Sequence, residues 1–140
     1  MREKEFSERF PFTVLSFSKK NVIRGLHGDS KTWKLFSCVY GEIFVAVVNK
    51  KLKWDSWVMS DKNKKVKLIP PNYALGHLVK SEMAVAYYQL AYKGEYFDHD
   101  KQFTIKWNDP EIGIEWGVSN PILSDRDKLA KSAREINFGI

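Results

Sequence analysis

Short apolar runs separated by turn-forming residues dominate the chain. Leu35 to Tyr40 is one such run, closed by Gly41, and Glu42 to Val48 follows it. In the second run Ile43, Val45 and Val47 alternate with Phe44, Ala46 and Val48, so both faces are apolar. That pattern predicts a strand covered on both sides, as in the middle of a sandwich. Asn49-Lys50-Lys51 ends it. Trp57 to Met59 and Lys65 to Ile69 predict further strands, and Pro70-Pro71-Asn72 breaks the chain sharply. Leu75 to Val79 and Met83 to Tyr92 predict the next pair, with Lys80-Ser81-Glu82 as the turn between them. Strands and turns at this spacing predict an all-β sandwich or barrel. One helix is expected, near the end. Ser124-Asp125-Arg126-Asp127 opens a run through Ser132, and Ser124 with Asp127 three residues on resembles a capping pair.

A chain of 140 residues suits one domain, 1–140, with a real core. The net charge of +6 suits an anionic partner such as a phosphate ester. The run Lys62-Asn63-Lys64-Lys65-Val66-Lys67 has no helix-turn-helix, zinc or RNA-binding motif beside it, so no nucleic-acid partner is expected. Cys38 is the single cysteine, which excludes an intrachain disulfide and fits a reducing cytoplasm. The charged opening Met1-Arg2-Glu3-Lys4-Glu5 does not read as a signal peptide. No stretch approaches the ~18 apolar residues of a membrane helix, so no membrane partner is expected.

Four short stretches carry candidate chemistry. In Asn21 to His27 an apolar strand leads to a histidine before a Gly-Asp turn. Arg24 and His27 are an odd number apart, so on a regular strand they face opposite ways. They converge only if Gly25 marks a bulge. Lys34 opens an apolar strand, where a surface charge is the ordinary reading. His77 follows Leu75 and Gly76, and the glycine leaves room for close approach of a backbone or ligand. Of Tyr87 and Tyr88, one faces inward and one outward, and an inward tyrosine is commonly core. Residue by residue, structural and functional readings both stand.

Taken together these fragments resemble the dTDP-4-dehydrorhamnose 3,5-epimerase family over about Asn21 to Leu129. The similar stretches are Asn21 to His27, Lys34-Leu35 with Val39 to Val47, Ile69-Pro70-Pro71, Trp107 to Trp116 and Pro121 to Asp127. The resemblance implies a jelly-roll (cupin-type) β-sandwich barrel with a short C-terminal helix. It implies a nucleotide-linked 4-keto-6-deoxyhexose as substrate. The 4-keto group acidifies the hydrogens on C3 and C5, a base removes one to give an enolate, and an acid returns a proton to the other face. By resemblance His27 is the base and Asp127 the carboxylate that orients it. Lys34 stabilises the enolate oxygen, Tyr88 is the acid on the opposite face, and Arg24 binds the phosphates, with Arg126 a further phosphate candidate. Phe6-Ser7-Glu8 resembles a family segment that packs against the nucleotide of a neighbouring subunit. That implies a homodimer with Phe6 and Glu8 at the substrate. No cofactor is implied, and no metal. Cupins that bind metal carry two histidines two residues apart, whereas His27-Gly28-Asp29 stands here.

The chain departs from the family at Leu75, where the family has its second active-site histidine. His77 stands at a usually aromatic position two residues on, and is expected to reach the substrate pocket from that shifted place. Ser16-Phe17-Ser18 replaces the polar stretch that normally precedes the Asn21 to His27 motif. A related 3,4-ketoisomerase and a non-catalytic sugar-nucleotide-binding cupin are the alternative readings.

Overall fold

A computed structural model describes residues 12–138. Its nine strands are β1 (Phe12–Lys19), β2 (Ile23–Gly28), β3 (Trp33–Tyr40), β4 (Glu42–Val48), β5 (Trp54–Ser60), β6 (Val66–Ile69), β7 (Ala74–Val79), β8 (Met83–Ala91) and β9 (Phe103–Thr104). A single-turn α-helix, α1 (Asp125–Lys128), follows. The strands form two antiparallel sheets, ordered β1-β8-β3-β6 and β5-β4-β7-β2-β9. This is the jelly-roll order: among β1 to β8 only β4 and β5 are consecutive and paired, and every other connection crosses between the sheets.

The connections explain where sequence expectation and structure part. Leu75 to Val79 and Met83 to Tyr92 were expected as a pair, yet β7 pairs with β2 and β4, and β8 with β1 and β3. The turn at Lys80 to Glu82 carries the chain across the sandwich instead of closing a hairpin. Gly41, at φ +77°, makes the same kind of crossing from β3 to β4. A side chain there would meet the Met83 carbonyl oxygen at 2.3 Å, so the close approach requires glycine.

β4 is covered on both faces, as its doubly apolar pattern predicts. Ile43, Val45 and Val47 face the other sheet and pack with Phe36, Met59, Ile69 and Leu75. Ala46 and Val48 point the opposite way, into a second cluster with Ile105, Ile112, Trp116 and Phe138. The second cover is not another sheet. It is the largely irregular segment after β9, laid across the outer face of the five-stranded sheet.

The helix is shorter than the expected run through Ser132. Ser124 caps it as the sequence predicts, its hydroxyl accepting from the Asp127 amide at 3.2 Å. It ends at Lys128 because the chain then has to pair with the sheet region. Lys106 N–H donates to the Lys131 carbonyl at 2.9 Å, and Ala130 and Ala133 turn into the core. Leu129 is left 80% exposed at the break.

Candidate active site

β2 is pinned between β7 and β9, and its register breaks between Arg24 and His27. Arg24 pairs with His77, and His27 with Leu75. Partners across an antiparallel ladder share a face. Leu75 and His77 both face the other sheet, so the irregularity turns Arg24 and His27 to that side together. The odd spacing is absorbed at Gly25, whose φ is +128°. A Cβ there would lie 2.5 Å from Gly76 Cα and 2.7 Å from the Leu75 oxygen. Glycine at 25 is therefore required by the close approach of β2 and β7, and Gly76 leaves the room for it.

The carboxylate of Asp127 meets this bulge. Its Oδ1 lies 2.5 Å from His27 Nε2, and its Oδ2 accepts from the Gly25 amide at 3.3 Å. Asp127 is 3% exposed, whereas the His27 side chain keeps 23% of its surface open. A carboxylate only accepts, so Nε2 carries the proton and Nδ1 keeps the lone pair. Arg126, next to Asp127, donates through Nε to Thr104 Oγ1 at 2.8 Å and through a terminal nitrogen to Gln102 Oε1 at 3.0 Å. Thr104 in turn pairs with His27 in the ladder. One short helix and one two-residue strand thus hold the Arg126–Asp127 pair against β2.

A pocket of about 140 Å³ is walled by Asp29, Thr32, Lys34, Tyr88, Tyr96 and Gln102 among others; His27 and Asp127 do not line it, and Lys34 and Gln102 connect it to their surroundings. Lys34 Nζ lies 3.4 Å from the His27 carbonyl oxygen, which places the imidazole's own residue behind the lysine. Asp29 is buried and accepts from the Lys31 and Thr32 amides at 2.8 and 2.6 Å. Sequence reasoning passed over Asp29 except as the residue that breaks a metal motif. Its position directly after Gly28, at the end of β2, was the signal available. Gln102 and Thr32 carried no signal of their own. Among the described residues no group of three or more His, Cys, Asp or Glu side chains is placed to hold a metal, and no helix is long and apolar enough to cross a membrane.

Arg24 donates through Nε to Ser18 Oγ at 2.8 Å, which ties β2 to β1 across the open end of the sandwich. Tyr88 faces inward, as one of the two adjacent tyrosines must, with its ring 4.7 Å from that of Phe36. His77 lies behind it, 1% exposed and off the pocket wall, with Nδ1 3.3 Å from the Tyr88 hydroxyl oxygen. The structure therefore brings together Arg24, His27, Lys34, His77, Tyr88, Arg126 and Asp127. Phe6 and Glu8 lie outside the described residues.

Burial pulls the His27 imidazole below its ordinary value against the opposing pull of Asp127, so the ring is neutral at neutral pH. Burial also brings the Lys34 ammonium down to about 8, with Asp29 resisting and Arg126 assisting. If the neutral imidazole acts as a base and the ammonium as a charge stabiliser, the rate profile is bell-shaped. The acid limb is expected below about 6.5 and the alkaline limb near 8. The His27 shift also acts on stability. The unfolded histidine binds the proton more tightly, so its contribution is fully present above about 6.5 and declines as pH falls toward the lower folded value. Proton-exchange rates measured from pH 5 to 9 check the two limbs. A profile flat through about pH 8 to 9 would remove Lys34 from the rate-determining charge balance.

The profile of the dTDP-4-dehydrorhamnose 3,5-epimerase family matches residues 1–135. The dTDP-4-dehydrorhamnose 3,5-epimerase of Salmonella typhimurium is 38% identical over 125 residues, which is 82% of this chain and 67% of that protein. The chain thus spans about two thirds of that relative's length. A crystal structure of a dTDP-6-deoxy-D-glucose-3,5-epimerase from Legionella pneumophila, in complex with dTDP-4-keto-L-rhamnose, superposes with a TM-score of 0.86 at 30% identity, covering 97% of this chain and 79% of that one. A dTDP-4-dehydrorhamnose 3,5-epimerase from Elizabethkingia anophelis gives 0.87 at 27% identity, over 99% and 84%.

Proposed function

Because the chain belongs to the dTDP-4-dehydrorhamnose 3,5-epimerase family, we propose that it epimerises a nucleoside-diphosphate-linked 4-keto-6-deoxyhexose at C3, or at C3 and C5. The observation that carries this reading is the 2.5 Å contact between His27 and Asp127, residues 100 positions apart, with Lys34 Nζ 3.4 Å from the His27 carbonyl oxygen and sharing a pocket wall with Tyr88. His27 Nδ1 takes the proton from the carbon next to the carbonyl. The C–H electrons form the enolate double bond, and the negative charge moves to the C4 oxygen. The Lys34 ammonium stabilises that oxygen, and in a water-poor pocket such an interaction is strong. Tyr88 then delivers its hydroxyl proton to the same carbon from the opposite face. Burial raises the phenol above its ordinary value, so it stays protonated until the enolate calls for the proton. Arg24 and Arg126 supply guanidinium forks for the diphosphate.

A homodimer fits the surface. Leu15, Phe17, Val66, Leu68 and Met83 lie on the face of β1-β8-β3-β6 that points away from Tyr88, and all are exposed, Phe17 by 62%. An apolar sheet face of this kind supports a second copy of the chain as its partner.

Deuterium wash-in from solvent tests the reaction, read by NMR on a dTDP-linked 4-keto-6-deoxyhexose. Exchange at C3 alone gives a mono-epimerase, and exchange at C3 and C5 the double reaction. Migration of the carbonyl to C3 identifies a 3,4-ketoisomerase, and binding without exchange a non-catalytic module. Tyr88→Phe is expected to lower net inversion about 100-fold while wash-in on the base's own face falls far less. Equal loss of both would remove Tyr88 as the opposite-face acid.

A further inference from the structure

A histidine at the centre of a β-sandwich needs a reason. His77 sits on β7 with Val45 of β4 and Arg24 of β2 as its ladder partners. Its neighbours across the sandwich are Phe36 and Tyr88, from β3 and β8 of the other sheet, with ring centroids at 5.7 and 6.5 Å. An apolar side chain would fill that space without the desolvation cost of an imidazole. The cost is offset by a polar group from the opposite sheet, the Tyr88 hydroxyl, at 3.3 Å from His77 Nδ1. Phe36 packs against both rings, 4.7 Å from Tyr88 and 5.7 Å from His77, and limits the rotation of each.

We propose that His77 is a positioning residue for the acid of the reaction, its Nδ1–H donating to the Tyr88 oxygen and leaving the phenol's own hydrogen directed into the pocket. This rests on the epimerase reading of the site and assigns the residue a role one step behind the substrate. A phenol has one hydrogen. If it were given to His77, the oxygen on the pocket wall would have nothing to donate. With the imidazole as donor, the phenol proton is free for the enolate carbon, and the phenolate left behind keeps a hydrogen-bond donor until solvent reprotonates it. Burial holds His77 neutral, with its ordinary value brought down to about 3 and the charge of Arg24 adding to the effect. It therefore stays a fixed neutral donor across the working pH range. The same histidine explains how a chain with Leu75 opposite His27 keeps a polar group in the barrel interior, two residues away on the same face of β7.

The experiment is His77→Phe, with wash-in and net inversion measured in one NMR time course. Wash-in at the proton taken by His27 is expected to stay within about twofold, while net inversion falls about tenfold or more. In the double variant with Tyr88→Phe the loss is expected to equal that of Tyr88→Phe alone, because both remove one unit. His77→Asn places an amide donor near the Nδ1 position and is expected to recover part of the inversion. A purely structural histidine gives parallel loss of both rates and no recovery with Asn, which overturns the proposal. If Phe is not accommodated, His77→Leu reads the same partition. Nitrogen-15 NMR of the histidine-labelled protein, with no substrate added, separates this proposal from the reaction it rests on. The Nδ1–H tautomer, perturbed by Tyr88→Phe, supports the pair even if no sugar nucleotide exchanges. The Nε2–H tautomer overturns it even if the enzyme is an epimerase.

Discussion

His27→Ala is expected to abolish deuterium incorporation into a 4-keto-6-deoxy sugar nucleotide, a loss of about 10³-fold or more, while the protein remains folded. The His27 imidazole has its neutral form, its orientation and its lone pair all set by the structure. Asp127 fixes the ring from Nε2, the Gly25 amide fixes Asp127, and burial keeps the ring uncharged. Alanine removes the proton acceptor and leaves Lys34 and Tyr88 with no enolate to act on. The fold survives because the histidine side chain is partly exposed and Asp127 keeps its contact with the Gly25 amide. A buried carboxylate that loses one partner costs about 1–3 kcal/mol, so a melting temperature several degrees lower is expected beside an unchanged circular-dichroism spectrum. NMR in D2O measures exchange at C3 and C5 directly. Exchange at the wild-type rate would show that another group is the base, and the role assigned to Asp127 would fall with it.

The strands that build the sandwich interior were legible because their burial is periodic. β4 carries apolar side chains on both faces and is covered on both. β3, β7 and β8 lie within one residue or two of the apolar runs that announce them. β1 was not legible, since most of Phe12 to Lys19 is exposed and no burial pattern marks it. Its place on the sheet edge comes from pairing with β8. The cover over β4's outer face was equally hidden. Ile105, Ile112, Trp116 and Phe138 are spread along an irregular segment whose positions only tertiary packing defines. The site divides in the same way. Gly25 stated in advance the condition under which Arg24 and His27 converge, and the register break meets it. The pairing of His27 with Asp127 came from family resemblance, because no local pattern joins two residues 100 positions apart. His77 was expected at the substrate. It lies behind Tyr88 instead, because residue 77 sits opposite Arg24 in the ladder, one pair further into the strand than His27.

The convergence of Arg24 and His27 makes Gly25→Ala the second large effect. The methyl group would have to occupy space 2.5 Å from Gly76 Cα and 2.7 Å from the Leu75 oxygen. Both are backbone atoms of β7, so no rotamer change relieves the clash. The φ of +128° adds a conformational cost for any L side chain. β2 must then either lift away from β7 or lose its irregular register. Lifting displaces the Gly25 amide from Asp127, and regular pairing turns Arg24 or His27 to the wrong face. Each outcome misplaces the base, and displacement of about 1 Å costs about 100-fold in rate. A destabilisation of roughly 2–4 kcal/mol is expected alongside. Gly117→Ala supplies the control. Gly117 also has a positive φ, +74°, but nothing lies within 4 Å of an added Cβ. It isolates the backbone cost and is expected to lower stability by about 1 kcal/mol with exchange unchanged. Thermal melts and the D2O exchange assay, run on both variants, separate strain from misplacement. Gly25→Ala protein that exchanges as fast as Gly117→Ala would mean that the two side chains converge without the bulge.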